Sequence, residues 1–251
     1  MEFFKKTGKQ IIYQKDVTLT ELANSLETDK GDADKLTLSW GKDWPEHVCM
    51  GYTKTYEKYM QPYREKDVKL YEIGICDKRF PYASPKMWLS YFKNVDLYGV
   101  DNFWGTYLKD KISEIEMINN WGVNFVYADQ GNFCDWDEIK EICPKDFNFV
   151  IEDGSHWPNH MIVSLWQSRH ILASGGYYFM EDLQNPRLTR GKFKYDNSLL
   201  TEDLLMAEHS GLLQSSFLND NQNKDIQECF ELVEMVLDIH KVNYLAVFKR
   251  K

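Results

Sequence analysis

With 251 residues, 43% hydrophobic and 15% aromatic, the chain carries enough apolar side chain for an α/β domain with a substantial core, which excludes a disordered chain. Its formal charge of −9 argues against a general nucleic-acid binder, so no nucleic-acid partner is expected. Five scattered cysteines without Cys-x-x-Cys spacing read as the reduced thiols of a cytoplasmic protein without a zinc site, and no apolar run is long enough to make a membrane span or a leader.

Thr18-x-x-Glu21 is a capping box, and Leu19, Leu22, Ala23 and Leu26 give the short amphipathic helix it opens. The polar turn Thr28-Asp29-Lys30-Gly31 ends it, and 32–44 reads as a loop. A helix follows from His47 to Arg64 with Tyr52, Tyr56, Tyr59 and Tyr63 in a stripe. A stripe at helical spacing is core packing in its plainest reading. Residues 1–66 are therefore expected to form a helical cap, and 67–251 the main domain.

The sheet opens at Val68–Gly74, where a terminal glycine permits close backbone or ligand approach. Gly-x-Gly-x-x-Gly is absent, so a nicotinamide enzyme is poorly supported. After a loop from Cys76 to Ala83, Ser84-Pro85 predicts a helix start, with Met87, Trp88, Tyr91 and Phe92 on the apolar face. Val95–Val100 is the second strand and ends in Asp101, a position that commonly accepts ribose hydroxyls. A helix near Thr106–Asn120, a strand Val123–Tyr127 ending in Ala128-Asp129-Gln130 and a helix Asp135–Ile142 complete the next unit.

The most informative stretch is Phe147 to Leu183. Phe147–Ile151 is a buried-strand run leading into Glu152-Asp153-Gly154-Ser155-His156. A helix bearing Met161, Ile162, Leu165, Trp166, Ile171 and Leu172 is expected to stop at Gly175-Gly176, and the strand Tyr177–Met180 ends in Glu181-Asp182. A strand–helix–strand crossover brings both carboxylate pairs to one sheet edge, where open α/β sheets bind ligands. Like charges converging there are costly unless a cation joins them, and hard oxygens suit Mg²⁺, Mn²⁺ or Ca²⁺ better than zinc. Asp153, Glu181 and Asp182 are the expected ligands. Glu152 and Asp153, as strand neighbours, cannot both face the site. His156 can serve as a general base near neutrality. Taken singly, each motif is as well explained by loop caps and a surface histidine; the pair favours a site.

Beyond it, Leu183–Ser198 reads as a lid with Arg187, Arg190, Lys192 and Lys194 against Asp196, a cluster suited to a phosphate-bearing acceptor and at least as well explained as a solvated loop. Leu199–Leu213 reads as a helix. Phe230–Ile239 suits helix or strand, and strand is chosen because the clear strand Tyr244–Phe248 lies one short turn away. The expected fold is a doubly wound, mostly parallel seven-stranded Rossmann-like sheet with an antiparallel C-terminal strand and an N-terminal helical extension.

These residues resemble those of class I S-adenosylmethionine-dependent methyltransferases. More narrowly, Thr28-Asp29-Lys30-Gly31, the Tyr52/Tyr56 helix, Tyr71-Glu72-Ile73-Gly74, Met87-Trp88, Tyr98-Gly99-Val100-Asp101, Ala128-Asp129-Gln130, Glu152-Asp153-Gly154-Ser155-His156 and Glu181-Asp182-Leu183 resemble the metal-dependent sugar O-methyltransferases of the macrocin and mycinamicin type and the cephalosporin-hydroxylase-like group. The resemblance implies methyl transfer from S-adenosylmethionine to a hydroxyl of a sugar or sugar-like acceptor, in surface-polysaccharide or natural-product biosynthesis, by a homo-oligomer. It implies Mg²⁺ on Asp153, Glu181 and Asp182, His156 as base, and Glu72, Gly74, Asp101, Asp129, Gln130, Tyr52 and Tyr56 toward the cofactor. With the lid, the acceptor becomes a sugar, or a nucleotide-linked or phosphorylated one. The stretch Asp77–Tyr82 departs from the family's shorter, glycine-richer loop. Two other readings remain: a same-fold cofactor-binding protein with different tailoring chemistry, and a non-catalytic assembly subunit.

Overall fold

The computed structural model describes residues 1–32, 49–76, 82–104, 107–192 and 194–251. All but the first residue of the expected loop at 32–44, the first residues of the expected His47 helix and most of the departure after Gly74 lie outside the described residues. In chain order the elements are β1 (Glu2–Phe4), α1 (Leu19–Ser25), α2 (Thr53–Met60), β2 (Asp67–Ile73), α3 (Ala83–Tyr91), β3 (Asn94–Asp101), α4 (Ile112–Trp121), β4 (Val123–Tyr127), α5 (Phe133–Ile142), β5 (Phe147–Glu152), α6 (Pro158–Ser168), β6 (Leu172–Gln184), α7 (Pro186–Thr189), α8 (Ser198–Ser210), α9 (Asp220–Cys229), β7 (Phe230–Leu237) and β8 (Asn243–Arg250). Hydrogen bonding orders the strands β1-β4-β3-β2-β5-β6-β8-β7, so among the described residues the sheet has eight strands rather than the expected seven. The added strand, β1, is three residues long and pairs antiparallel with β4 through Glu2↔Tyr127 and Phe4↔Phe125. Three residues are too few to show alternation in a sequence.

The chain folds into two compact units. One comprises Glu2–Lys69 and Ile75–Tyr127. In it the capping box closes reciprocally: Glu21 N donates to Thr18 Oγ1 at 3.2 Å and Thr18 N to Glu21 Oε2 at 2.8 Å. Leu19, Leu22 and Ala23 of α1 are buried, as the periodicity predicts. β3 and β4 pair in parallel from Leu97↔Val123 to Asp101↔Tyr127. Two helix starts differ from expectation. α3 begins at Ala83 behind a left-handed Tyr82, so Ser84 does not cap it, and α4 begins at Ile112 after a separate 3-10 turn at Leu108–Asp110.

The other unit comprises Leu70–Gly74 and Ala128–Lys251, with Met1. Here β2, β5 and β6 are parallel, β8 is antiparallel to β6, and β7 is antiparallel to β8. Phe147, Phe149, Val150 and Ile151 are all fully buried, the near-continuous apolar run of a parallel strand covered on both faces. The ambiguous Phe230 segment is a strand, and the C-terminal hairpin is present.

The glycine pair does not end α6. That helix stops at Ser168, where Ser168 Oγ donates back to the Leu165 carbonyl and a tight turn follows through His170 and Ile171. Gly175 and Gly176 lie inside β6, in a register shift against β5, with Gly175 at φ +79°. A Cβ on Gly176 would meet Ala173 O and Asn148 O at 3.0 Å, so glycine is needed for the bulge itself. α9 had no apolar stripe to announce it. Its signal was Asn219-x-x-Gln222, a capping box that closes at 3.0 Å in both directions.

Candidate metal and methyl-transfer site

β5 delivers its two acids to different places. Glu152 is the last strand residue and is fully buried; its Oε1 accepts Gln130 Nε2 at 2.8 Å and Gly154 N at 3.2 Å. Burial pushes its carboxyl up to about 7, because the charged form loses solvation there. Asp153 is the first residue beyond the strand, with its backbone N donating to the Ile73 carbonyl at 3.0 Å. Gly74 makes that approach possible. It sits at φ +83°, and a Cβ there would lie 2.0 Å from the Asp153 carbonyl oxygen. The glycine is thus required by the neighbouring turn of the protein itself.

Gln130 spans the same turn. Its Nε2 goes to Glu152, and its Oε1 accepts Ser155 N at 2.8 Å. The amide expected to touch the cofactor is therefore committed at both ends to holding the acid-bearing turn. Asp129, beside it, accepts Gly131 N at 2.8 Å. Glu72 is fully buried in β2.

β6 brings its acids in differently. The strand does not end at Glu181-Asp182 but continues to Gln184 through a second bulge, Met180 pairing with Ala246 and Leu183 with Tyr244. Two residues thus stand against Leu245 alone. Glu181 is buried, while Asp182 takes a left-handed φ of +54° and reaches the surface of the turn.

His156 is also left-handed, at φ +58°. Its Nε2 lies 4.0 Å from Asp153 Oδ1 and 3.9 Å from Asp182 Oδ2, and all three side chains are about one-fifth exposed, at 21%, 19% and 21%. One donor atom from each of the three falls within 4.8 Å of the others. These separations exceed hydrogen-bond length, so the imidazole edge is not tied to either acid. The two facing carboxylates are hard oxygen donors that one divalent cation of the Mg²⁺ type can join, with the imidazole beside them. Glu181, expected as a third ligand, is outside this trio. The Tyr195 ring stands 5.5 Å from the imidazole, centre to centre.

The remaining expected residues lie as follows. In the other unit, Asp101 ends β3 with Oδ2 accepting Cys76 N at 3.0 Å and Oδ1 accepting Phe103 N at 2.6 Å. Burial raises its carboxyl to about 6 against those amides. Tyr52 and Tyr56 are fully buried, Tyr56 edge-on to Trp88 at 5.3 Å, which is the core packing that the stripe predicts. In the expected lid, Arg187 is exposed on α7 and Arg190 forms an ion pair with Glu202 of α8. Counting charges within the lid alone missed that partner.

Known proteins of similar fold and sequence are informative. The structure of MycE methyltransferase from the mycinamycin biosynthetic pathway, in complex with Mg and SAH, superposes with a TM-score of 0.63 at 20% identity, covering 94% of this chain and 55% of that one. An O-methyltransferase from Bacillus cereus in complex with SAH gives 0.52 at 9% identity, covering 95% and 92%. The fold is that of the class I methyltransferases. By sequence, the chain is 33% identical over 171 residues to 8-demethyl-8-alpha-L-rhamnosyl tetracenomycin-C 2'-O-methyltransferase of Streptomyces olivaceus, covering 66% of this chain and 41% of that one. It is 29% identical over 154 residues to demethylmacrocin O-methyltransferase of Streptomyces fradiae, covering 59% and 34%. The chain is a homologue of sugar O-methyltransferases. Its matches span less than half the length of those curated relatives. No protein-family model matches this homologue. Among its described residues no helix is long and apolar enough to cross a membrane.

Proposed function

We propose that the protein transfers the methyl group of S-adenosylmethionine to a hydroxyl of a sugar acceptor, with a divalent cation of the Mg²⁺ type on Asp153 and Asp182. The convergence of these two acids with His156 on a methyltransferase fold carries the reading. Glu181 shares the β6 bulge with Asp182 but is buried outside the trio. The bound cation's contribution is to lower the pKa of an acceptor hydroxyl. His156 Nε2, beside both acids, takes that proton. The hydroxyl oxygen then bonds to the methyl carbon while the methyl–sulfur bond breaks, giving a methyl ether and S-adenosylhomocysteine. Glu72, Gly74 and Asp129 are taken as the cofactor side of the unit that carries the trio; Asp101, in the other unit, keeps lone pairs beyond its backbone amides that can accept ligand hydroxyls. Gln130 holds the metal turn, and Tyr52 and Tyr56 pack the core.

The sugar is taken as neutral, because Glu202 already neutralises Arg190. A nucleotide-linked or phosphorylated sugar is the second reading, favoured by exposed Arg187 and Lys192. The same proposal makes this a cytoplasmic, homo-oligomeric enzyme of carbohydrate or natural-product biosynthesis.

The test is a calorimetric titration with S-adenosylmethionine, followed by mass spectrometry of methyl transfer to neutral and phosphorylated glycosides with Mg²⁺ or EDTA. Methylation of a glycoside that stops in EDTA and returns with Mg²⁺ is expected. Full turnover in EDTA removes the cation from the mechanism.

A further inference from the structure

Asn197 begins α8 but does not cap it: no side-chain bond runs from it to the helix. Asp196 Oδ1 accepts the Ser198 amide instead, at 3.0 Å. Asparagine is among the best N-caps, so withdrawing its side chain from that role needs a reason. The amide is fully buried and is used elsewhere. Oδ1 accepts Gln184 N at 2.7 Å, while Nδ2 donates to the carbonyls of His156 at 3.2 Å and Asp182 at 3.1 Å and points to Met161 Sδ at 3.4 Å. His156 and Asp182 are both left-handed non-glycine residues, at φ +58° and +54°, and both carry side chains of the metal trio. Such a backbone persists in a non-glycine residue only where its surroundings over-determine it.

We propose that Asn197 is a positioning residue, a single-amide clamp that fixes the backbones of His156 and Asp182 so that their side chains converge with Asp153. The Gln184–Asn197 contact also ties the end of β6 to the start of α8. The inference deepens the metal reading given above and rests on it for its binding test.

The 251-residue chain is compared as wild type, Asn197→Asp, Asn197→Ala and Thr201→Val. Asp is isosteric and keeps the acceptor for Gln184 N but loses the donor. Thr201 Oγ1 donates to the Asn197 carbonyl at 3.2 Å, so Thr201→Val removes a buried bond at the same helix start without touching the clamp. Mn²⁺ affinity is read by electron paramagnetic resonance, and amide hydrogen exchange is read over 152–160 and 180–186. Asn197→Asp is expected to bind Mn²⁺ roughly 10–100-fold more weakly, the usual cost of losing a group that orients metal ligands. Both segments are expected to exchange faster in it, and Thr201→Val to match wild type in both measurements. Wild-type affinity with unchanged exchange in Asn197→Asp overturns the clamp, as does equal loss in Thr201→Val. If wild type itself binds no Mn²⁺, the metal reading falls alone; exchange then decides, faster exchange in Asn197→Asp supporting the clamp and unchanged exchange overturning it.

Discussion

The Glu152-Asp153 and Glu181-Asp182 pairs look alike in sequence and reach the site by different backbone devices. β5 stops at Glu152, and Asp153 leaves the sheet over a glycine that admits its carbonyl. β6 does not stop; a bulge and a left-handed Asp182 turn its acid out, and the strand resumes at Leu183. In each pair the first acid is buried and the second is part-exposed at the trio. Termination needs only one permissive residue. A bulge inside a ladder leaves a backbone that a further group must hold, and this explains why the clamp lands on Asp182 rather than on Asp153; the same amide holds His156, left-handed in the turn that follows β5.

The largest expected effect separates the two members of each pair. Asp153→Asn and Asp182→Asn should each lower turnover by more than the roughly 100-fold that loss of an orienting group costs, with the response to Mg²⁺ lost alongside. His156→Ala should retain cation and cofactor binding in calorimetry while losing roughly 10²–10⁴ in rate. Unaltered kcat in either Asp variant would leave the pairs without a catalytic distinction.

Next in size is Gly74→Ala. A Cβ at 2.0 Å from a carbonyl oxygen, on a φ of +83°, should cost about 3 kcal/mol or more in urea unfolding. A substitution at Gly175, around which no atom lies within 4 Å of the added Cβ, should cost only the left-handed strain, about 1–2 kcal/mol. Equal losses at both glycines would contradict the termination device at β5.

Glu152→Gln sharpens the role of the buried acid. Its carboxyl titrates at about 7 in the fold against an ordinary 4.5, so the native state holds that proton more tightly. Stability from this group is full below about 4.5 and is lost as pH rises through 7, by on the order of 3 kcal/mol. The Gln variant has no such loss, so its advantage over wild type should appear at pH 8 and shrink by pH 5. Urea midpoints that move in parallel at both pH values would contradict this.

The smallest effect is expected outside the pairs. Arg190→Ala breaks an exposed ion pair with Glu202 and should change stability by less than about 1 kcal/mol, with KM for a neutral glycoside unchanged. A selective rise in KM for a phosphorylated sugar would instead return Arg190 to the acceptor.

By itself the sequence determined the alternating strands and helices, because buried parallel strands must be apolar runs and capping boxes must place their acids three residues on. Phe147–Ile151, Tyr244–Phe248 and Thr18-x-x-Glu21 all carry such local signals. It also marked Asp153, His156 and Asp182, since acids at strand exits are rare enough in an apolar run to stand out. It could not show β1, whose three residues gain meaning only from their partner β4. Nor could it show that Gly175-Gly176 serves a bulge rather than a helix end, or that Arg190 meets Glu202, because both depend on a second strand or helix brought alongside. Gln130 and Asn197 make the same point most sharply. Each is a polar side chain with no periodic neighbours, and each becomes a fixed part of the site only when folding surrounds it with donors and acceptors from distant segments.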